Sequence, residues 1–183
     1  MPLRISGGYL KGRGLDAPAG GTYRPLTGRF KKTLFDFLGS TLAGATVLDL
    51  FGGAGVMGIE ALSRGAARVT FVENNGALTA ALERNLVMLG LSHETRIYTE
   101  DVLVYLGLAR PSSPYDIVFL DPPYGVGLMF RTIEALAAWP GFGAATLGMA
   151  KTFKKERFAG PAPLKWVQDK IIGDDKLIIF GKE

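Results

Sequence analysis

The sequence predicts an α/β fold: a mostly parallel sheet covered by helices on both faces, preceded by a short N-terminal β-hairpin and helix. Three features lead there. From Thr46 onward, short apolar runs alternate with helical stretches at the spacing of βαβ units. The first of those runs leads into Gly53-Ala54-Gly55-Val56-Met57-Gly58, a G-x-G-x-x-G turn opening a helix. The next run ends in an acid, Glu73, 20 residues after Gly53.

Each element has its own signal. Residues 4–15 mix Ile5, Tyr9 and Leu10 with Gly7, Gly8, Gly12 and Gly14, which reads as a glycine-punctuated hairpin. Thr27 is placed to cap a helix through about Leu38, with Phe30, Leu34, Phe37 and Leu38 on its inner face, and Gly39 ends it. Thr46–Phe51 is a buried strand, Val56–Arg64 a helix, Arg68–Glu73 a second strand, and Ala77–Leu89 a helix stopped by Gly90. Thr95–Thr99 is a third strand and Val102–Ala109 a short helix. Tyr115–Asp121 is a fourth strand, and Leu128–Ala138 a helix that stops before Pro140. Such alternation implies a parallel sheet buried on both sides. The tail differs: residues 164–172 and 176–180 read as an antiparallel hairpin around Gly173-Asp174-Asp175. Residues 141–163 carry no clear pattern.

Composition sets the frame. The chain has 183 residues, 48% hydrophobic and 21% charged, which suits a single globular domain with a full core. No apolar run is long enough to span a bilayer, and the N-terminus lacks a basic-then-apolar signal, so a cytoplasmic location is expected. With no cysteine and one histidine, His93, neither disulfides, thiol chemistry nor a histidine-rich metal site is expected. The net charge of +4 is uneven. Arg4, Lys11, Arg13, Arg24, Arg29, Lys31 and Lys32 face Asp16 alone in residues 1–32, while the rest of the chain is slightly acidic. A basic segment of this kind suits contact with a polyanion such as RNA. Residues 1–38 are therefore expected to form a basic extension and residues 46–183 the catalytic core.

The glycine turn lets a ligand lie against backbone, and Glu73 can accept hydrogen bonds from ribose hydroxyls. A nicotinamide dinucleotide uses the same geometry but calls for a longer chain. Asp49, just before the turn, would oppose a pyrophosphate yet could help hold the ammonium of an amino-acid moiety. S-adenosylmethionine carries that moiety, an adenosine and no phosphate, so the balance favours it.

The fourth strand ends in Asp121-Pro122-Pro123-Tyr124. At the carboxyl end of a parallel strand these residues face the ligand crevice. An exocyclic amine on a base is a poor nucleophile because its lone pair is delocalised. The Asp121 carboxylate can accept one N–H and the Pro122 carbonyl, aimed by a rigid backbone, the other. The lone pair then turns toward a methyl donor, and Tyr124 can stack on a flipped base. Neither a metal nor a histidine base is needed.

Together, Ile5-Ser6-Gly7-Gly8, Gly12-Arg13, Arg24-Pro25, Thr27, Thr33-Leu34-Phe35, Asp49–Gly58, Glu60–Ala66, Glu73, Asn85-Leu86 and Asp121–Tyr124 resemble the RsmD family. Its members methylate N2 of a guanine in small-subunit (16S) ribosomal RNA. The resemblance runs from residue 4 to about 138. It implies a class I methyltransferase (Rossmann-like) fold, a seven-stranded sheet whose last strand is antiparallel. It also implies that Asp49, Phe51, Gly53, Gly55, Glu73, Asp101 and Val102 line the S-adenosylmethionine pocket, and that ribosomal RNA or the small subunit is the partner. The D-P-P-Y motif alone is shared with adenine-N6 and glutamine methyltransferases; the N-terminal segment points to the guanine branch. A catalytically silent RNA-binding module with the same fold is the alternative from another class. The chain departs from the family at Gly28, Lys31 and Lys32, where Asp, Arg and Glu are usual. It departs again near Met149-Ala150-Lys151, where the family often has an acid.

Overall fold

A computed structural model of the chain describes residues 3–18, 26–123, 127–156 and 161–183. In order, the elements are β1 (Leu3–Arg4), β2 (Gly14–Leu15), α1 (Gly28–Leu38), β3 (Thr46–Leu50), α2 (Val56–Ser63), β4 (Arg68–Glu73) and α3 (Gly76–Leu89). There follow β5 (Thr95–Thr99), α4 (Val102–Leu108), β6 (Ile117–Leu120), α5 (Leu128–Ala138), β7 (Leu147–Phe153), β8 (Leu164–Ile172) and β9 (Asp175–Lys182). Strands β1 and β2 pair as the expected hairpin, and the other seven form one sheet in the order β5-β4-β3-β6-β7-β9-β8. Strands β3 to β7 pair in parallel, while β9 runs antiparallel between β7 and β8.

The central strands β3, β4, β6 and β7 are buried on both faces, their successive side chains pointing to opposite sides into two cores. Val47, Phe71, Ile117, Phe119 and Met149 meet Phe30, Leu34, Ile59 and Leu82 from α1, α2 and α3. Leu48, Leu50, Val118, Leu120 and Phe180 meet Val102, Leu106, Ile133 and Leu136 from α4 and α5. Each such side chain contributes about 1.5–3 kcal/mol by leaving water. That keeps the central strands rigid up to their carboxyl ends, where the candidate site residues sit.

Two expectations change in the structure. Thr27 caps α1 as expected, its hydroxyl accepting from the Phe30 amide at 3.1 Å. The inner face, however, takes Phe35 with Phe30, Leu34 and Leu38, and leaves Phe37 at 41% exposure. With 3.6 residues per turn, positions 31 and 35 widen the stripe away from 37. The stretch 141–163 contains β7, whose middle five residues are buried. Its glycine and lysine break the apolar run that marks a buried strand. Gly148 is required there, because a Cβ would lie 2.2 Å from the Phe180 ring.

The N-terminal segment is fastened to α2 through Glu60, which is fully buried. Its carboxylate accepts from the Ser6 amide at 2.9 Å, the Ser6 hydroxyl at 2.6 Å, Lys31 at 3.1 Å and Arg64 at 2.8 Å. One turn on, the Ser63 hydroxyl donates to the Gly7 carbonyl at 2.6 Å and accepts from the Leu10 amide at 2.9 Å. The Ile5–Gly8 segment thus serves as a latch between hairpin and core.

Candidate active site

The carboxyl ends of β3, β4 and β6 lie side by side, since Leu50 pairs with Val72 on one side and Leu120 on the other. One residue beyond those pairs stand Phe51, Glu73 and Asp121. This is a topological switch point, where the chain runs to opposite faces of the sheet and leaves a crevice.

The glycine loop is built by division of labour. Gly53 has φ 55, and a Cβ there would meet nothing within 4 Å, so its open side is free for a ligand. Gly58 serves packing instead: a Cβ would lie 2.3 Å from the Phe71 ring, holding α2 off the sheet. Gly55, at φ 90, caps α2 against Leu82. Phe51 has φ 65, the sole positive value among described non-glycine residues, and such strain gathers at ligand sites.

The acids are held by backbone amides. Asp49 is 2% exposed and accepts from the Gly58 amide at 2.9 Å, so it braces the loop from beneath. Glu73 accepts from the Gly53 amide at 3.0 Å and the Asn75 amide at 2.8 Å, which ties strand β4 to the glycine turn. Each carboxylate oxygen retains a lone pair for a ribose hydroxyl. Asp101 caps α4, accepting from Leu103 at 2.8 Å and Val104 at 3.2 Å, and Val102 beside it is buried. Asp121 receives the Lys151 ammonium at 3.0 Å. Pro122 is buried and Pro123 exposed; Tyr124 and Arg24 lie outside the described residues.

Burial pushes the Asp49 carboxyl up to about 7 despite the Gly58 hydrogen bond, and the nearby charges of Asp121 and Glu73 push the same way. Burial also raises Asp121, opposed by Lys151. A crevice carrying these carboxylates favours a cation over a phosphate. S-adenosylmethionine carries a sulfonium and an ammonium, and the residues fit it: Glu73 would accept from the ribose and Gly53 would leave room for it, with Asp49 and Asp121 nearby.

The basic extension divides. Arg4, Lys11, Arg13, Arg29 and Lys32 are exposed, with Arg4 donating to the Gly12 carbonyl and Lys32 paired to Asp36 at 2.5 Å. Lys31, expected on the same face, is only 5% exposed and bound to Glu60 and the Arg4 carbonyl, so it belongs to the latch and not to an RNA surface. Three residues named only through the family resemblance or a departure from it, Glu60, Asn85 and Lys151, take roles that the sequence does not show. Asn85 is fully buried, bonds both backbone groups of Asp16 at 2.7 and 2.9 Å, and donates to the Ala54 carbonyl at 3.1 Å. It therefore joins the N-terminal extension to the glycine loop. Its one signal in the sequence is a polar residue inside an apolar helix face.

Among the described residues, none of the His, Cys, Asp and Glu side chains groups to hold a metal ion, and no helix is long and apolar enough to cross a membrane.

The strand order, the glycine loop and the acids at the strand ends define a class I methyltransferase fold with S-adenosylmethionine as its cofactor. The family described as Conserved hypothetical protein 95 matches residues 3–181. Ribosomal RNA small subunit methyltransferase D of Escherichia coli (strain K12) is 39% identical over 134 residues, 73% of this chain and 66% of the relative. Its namesake in Haemophilus influenzae is 36% identical over 135 residues, 73% of this chain and 70% of the relative. The chain thus spans just under two thirds of the Escherichia coli relative. Among solved structures, the Escherichia coli protein yhhF superimposes with a TM-score of 0.86 at 32% identity, covering 100% of this chain and 99% of the other. The chain belongs to the Conserved hypothetical protein 95 family, the RsmD family of methyltransferases.

Glu73→Ala is expected to weaken S-adenosylmethionine binding by about 1–3 kcal/mol, the scale for hydrogen bonds to a charged group. Calorimetry at constant pH reads it directly; unchanged affinity would remove Glu73 from the ribose.

Proposed function

We propose that the protein transfers a methyl group from S-adenosylmethionine to the exocyclic N2 of a guanine in 16S ribosomal RNA. The observation that carries this reading is the position of Asp121-Pro122-Pro123 at the carboxyl end of β6, beside the open glycine loop on β3. The names of the similar proteins support an rRNA methyltransferase, and residues 5–8, fastened to α2, support the guanine branch.

When bound, S-adenosylmethionine supplies an electrophilic methyl group. The protein's own residues place the nucleophile. The Asp121 carboxylate accepts one N–H of the amine and the Pro122 carbonyl accepts the other, which turns the nitrogen lone pair toward the methyl carbon. Attack by that lone pair would form the N–C bond as the S–C bond breaks, the bonding pair leaving with the sulfur. The alkylated nitrogen then loses one proton, so no strong base is required. Tyr124 follows in sequence and supplies an aromatic face for the flipped base.

Nucleoside mass spectrometry of 16S RNA treated with the protein tests the proposal. Gain of N2-methylguanosine is expected; gain of N6-methyladenosine, or no methylated nucleoside, would overturn it.

The exposed arm gives a second measurement. Phosphate contacts release counterions, so RNA affinity should fall steeply with salt. Changing Lys11, Arg13 and Lys32 to Gln should lower the slope of log affinity against log salt by about 0.7 for each phosphate that is no longer neutralised. Cofactor affinity should stay unchanged. Superimposable salt titrations would place RNA elsewhere on the protein.

A further inference from the structure

Asp121 is the carboxylate on which the proposed chemistry depends, and it does not stand alone. Lys151, on the adjacent strand β7, follows Ala150, the register partner of Leu120, and so lies beside Asp121. Its side chain is 5% exposed, against 25% for Asp121, and its Nζ lies 3.0 Å from Asp121 Oδ1. A buried lysine is retained at such a place only with a counter-charge. Among the described residues, the acids Asp175 on β9 and Asp49 on β3 also bear on Asp121. The Lys151 ammonium opposes their charge at this end of the sheet.

We propose that Lys151 is the positioning residue of the reaction, holding Asp121 as an anion through Oδ1 so that Oδ2 is presented to the substrate amine. The inference rests on the methyl-transfer reading above. A protonated Asp121 would offer a donor where the amine also has only donors to give. A carboxylate with one oxygen anchored keeps both the acceptor and its direction. Burial and Asp175 push Asp121 toward the neutral form, and the ammonium of Lys151 opposes them.

The test is the pH profile of single-turnover methyl transfer by wild type, Lys151→Met and Lys151→Arg. In wild type, activity falls as pH drops through the Asp121 titration. In Lys151→Met that acid limb should move up by at least one pH unit, with kcat lowered and the KM for S-adenosylmethionine unchanged within about twofold. Lys151→Arg should return the limb to near its wild-type position. A residue that only packs would lower turnover equally at every pH and would not be rescued by arginine. A Lys151→Met profile superimposable on wild type, or a rise in its turnover, overturns the proposal; Lys151→Gln carries the same comparison if the methionine variant does not fold. Carbon-13 NMR titration of the Asp121 carboxyl, with no substrate present, separates the two readings. A midpoint raised in Lys151→Met alongside a wild type inactive on ribosomal RNA would fail the substrate reading alone. An active wild type with an unmoved midpoint would fail the role of Lys151 alone.

Discussion

Asp121→Ala is expected to lower turnover about a hundredfold or more while S-adenosylmethionine affinity stays within about threefold of wild type, the scale of impaired positioning at a reacting atom. The split follows from the architecture. The groups proposed to face the cofactor lie after β3 and at the end of β4: Gly53 with its open side, and Glu73 bound to the Gly53 amide at 3.0 Å. Asp121 directly follows β6, on the other side of β3. Removing its carboxylate strips the amine of an acceptor without touching the ribose. Single-turnover kinetics together with calorimetry on the same preparation measure both quantities. Equal losses in binding and turnover would mean that Asp121 holds the cofactor and not the substrate.

Glu60→Ala is expected to destabilise the fold by about 3–5 kcal/mol, the scale for stranding one partner of a buried ion pair. Lys31 has 7% side-chain exposure and Glu60 none, so truncation leaves an ammonium with no carboxylate beside it. Ser6 loses acceptors for both its amide and its hydroxyl, which leaves the hairpin held to α2 through Ser63 alone of this latch. The pH dependence has a defined sign. Burial pushes the Glu60 carboxyl upward, but the hydrogen bonds from Ser6 and Arg64 and the charge of Lys31 outweigh it and hold the group below its ordinary value of 4.5. A depressed carboxyl stabilises the fold above its unfolded value, and that contribution is lost as pH falls through the folded one. Urea unfolding of wild type and variant should therefore show a wide gap at neutral pH that narrows as the solution is acidified below about pH 4.5. A constant gap at all pH values would mean that packing, not charge, accounts for the loss.

Local pattern carries much of the architecture. The strand and helix alternation from Thr46 to Ala138 is legible because a sheet buried on both faces demands continuous apolar runs, and glycines or polar caps end the helices between them. Arg68–Glu73, Thr95–Thr99 and Leu128–Ala138 match their elements end to end. The glycine loop, Glu73 and the Asp121 tetrapeptide are legible for the same reason: each lies next to the strand that places it, so chain order gives the geometry.

What chain order does not give are contacts between distant segments. Lys31 reads as one more base in a basic arm; only the packing of α1 against α2 sets it over Glu60 and removes it from solvent. Lys151 reads only as part of a departure from the family pattern in an unpatterned stretch, and β7 is hidden by the Gly148 that its neighbour Phe180 requires. Asp49, expected to help hold an ammonium, also accepts from the Gly58 amide beneath the loop, a contact that chain order does not show. In each case the sequence determined the residue and its charge. The fold alone decided which opposite charge or amide it would meet, because desolvation forces every buried charge to a partner and that partner lies on another element.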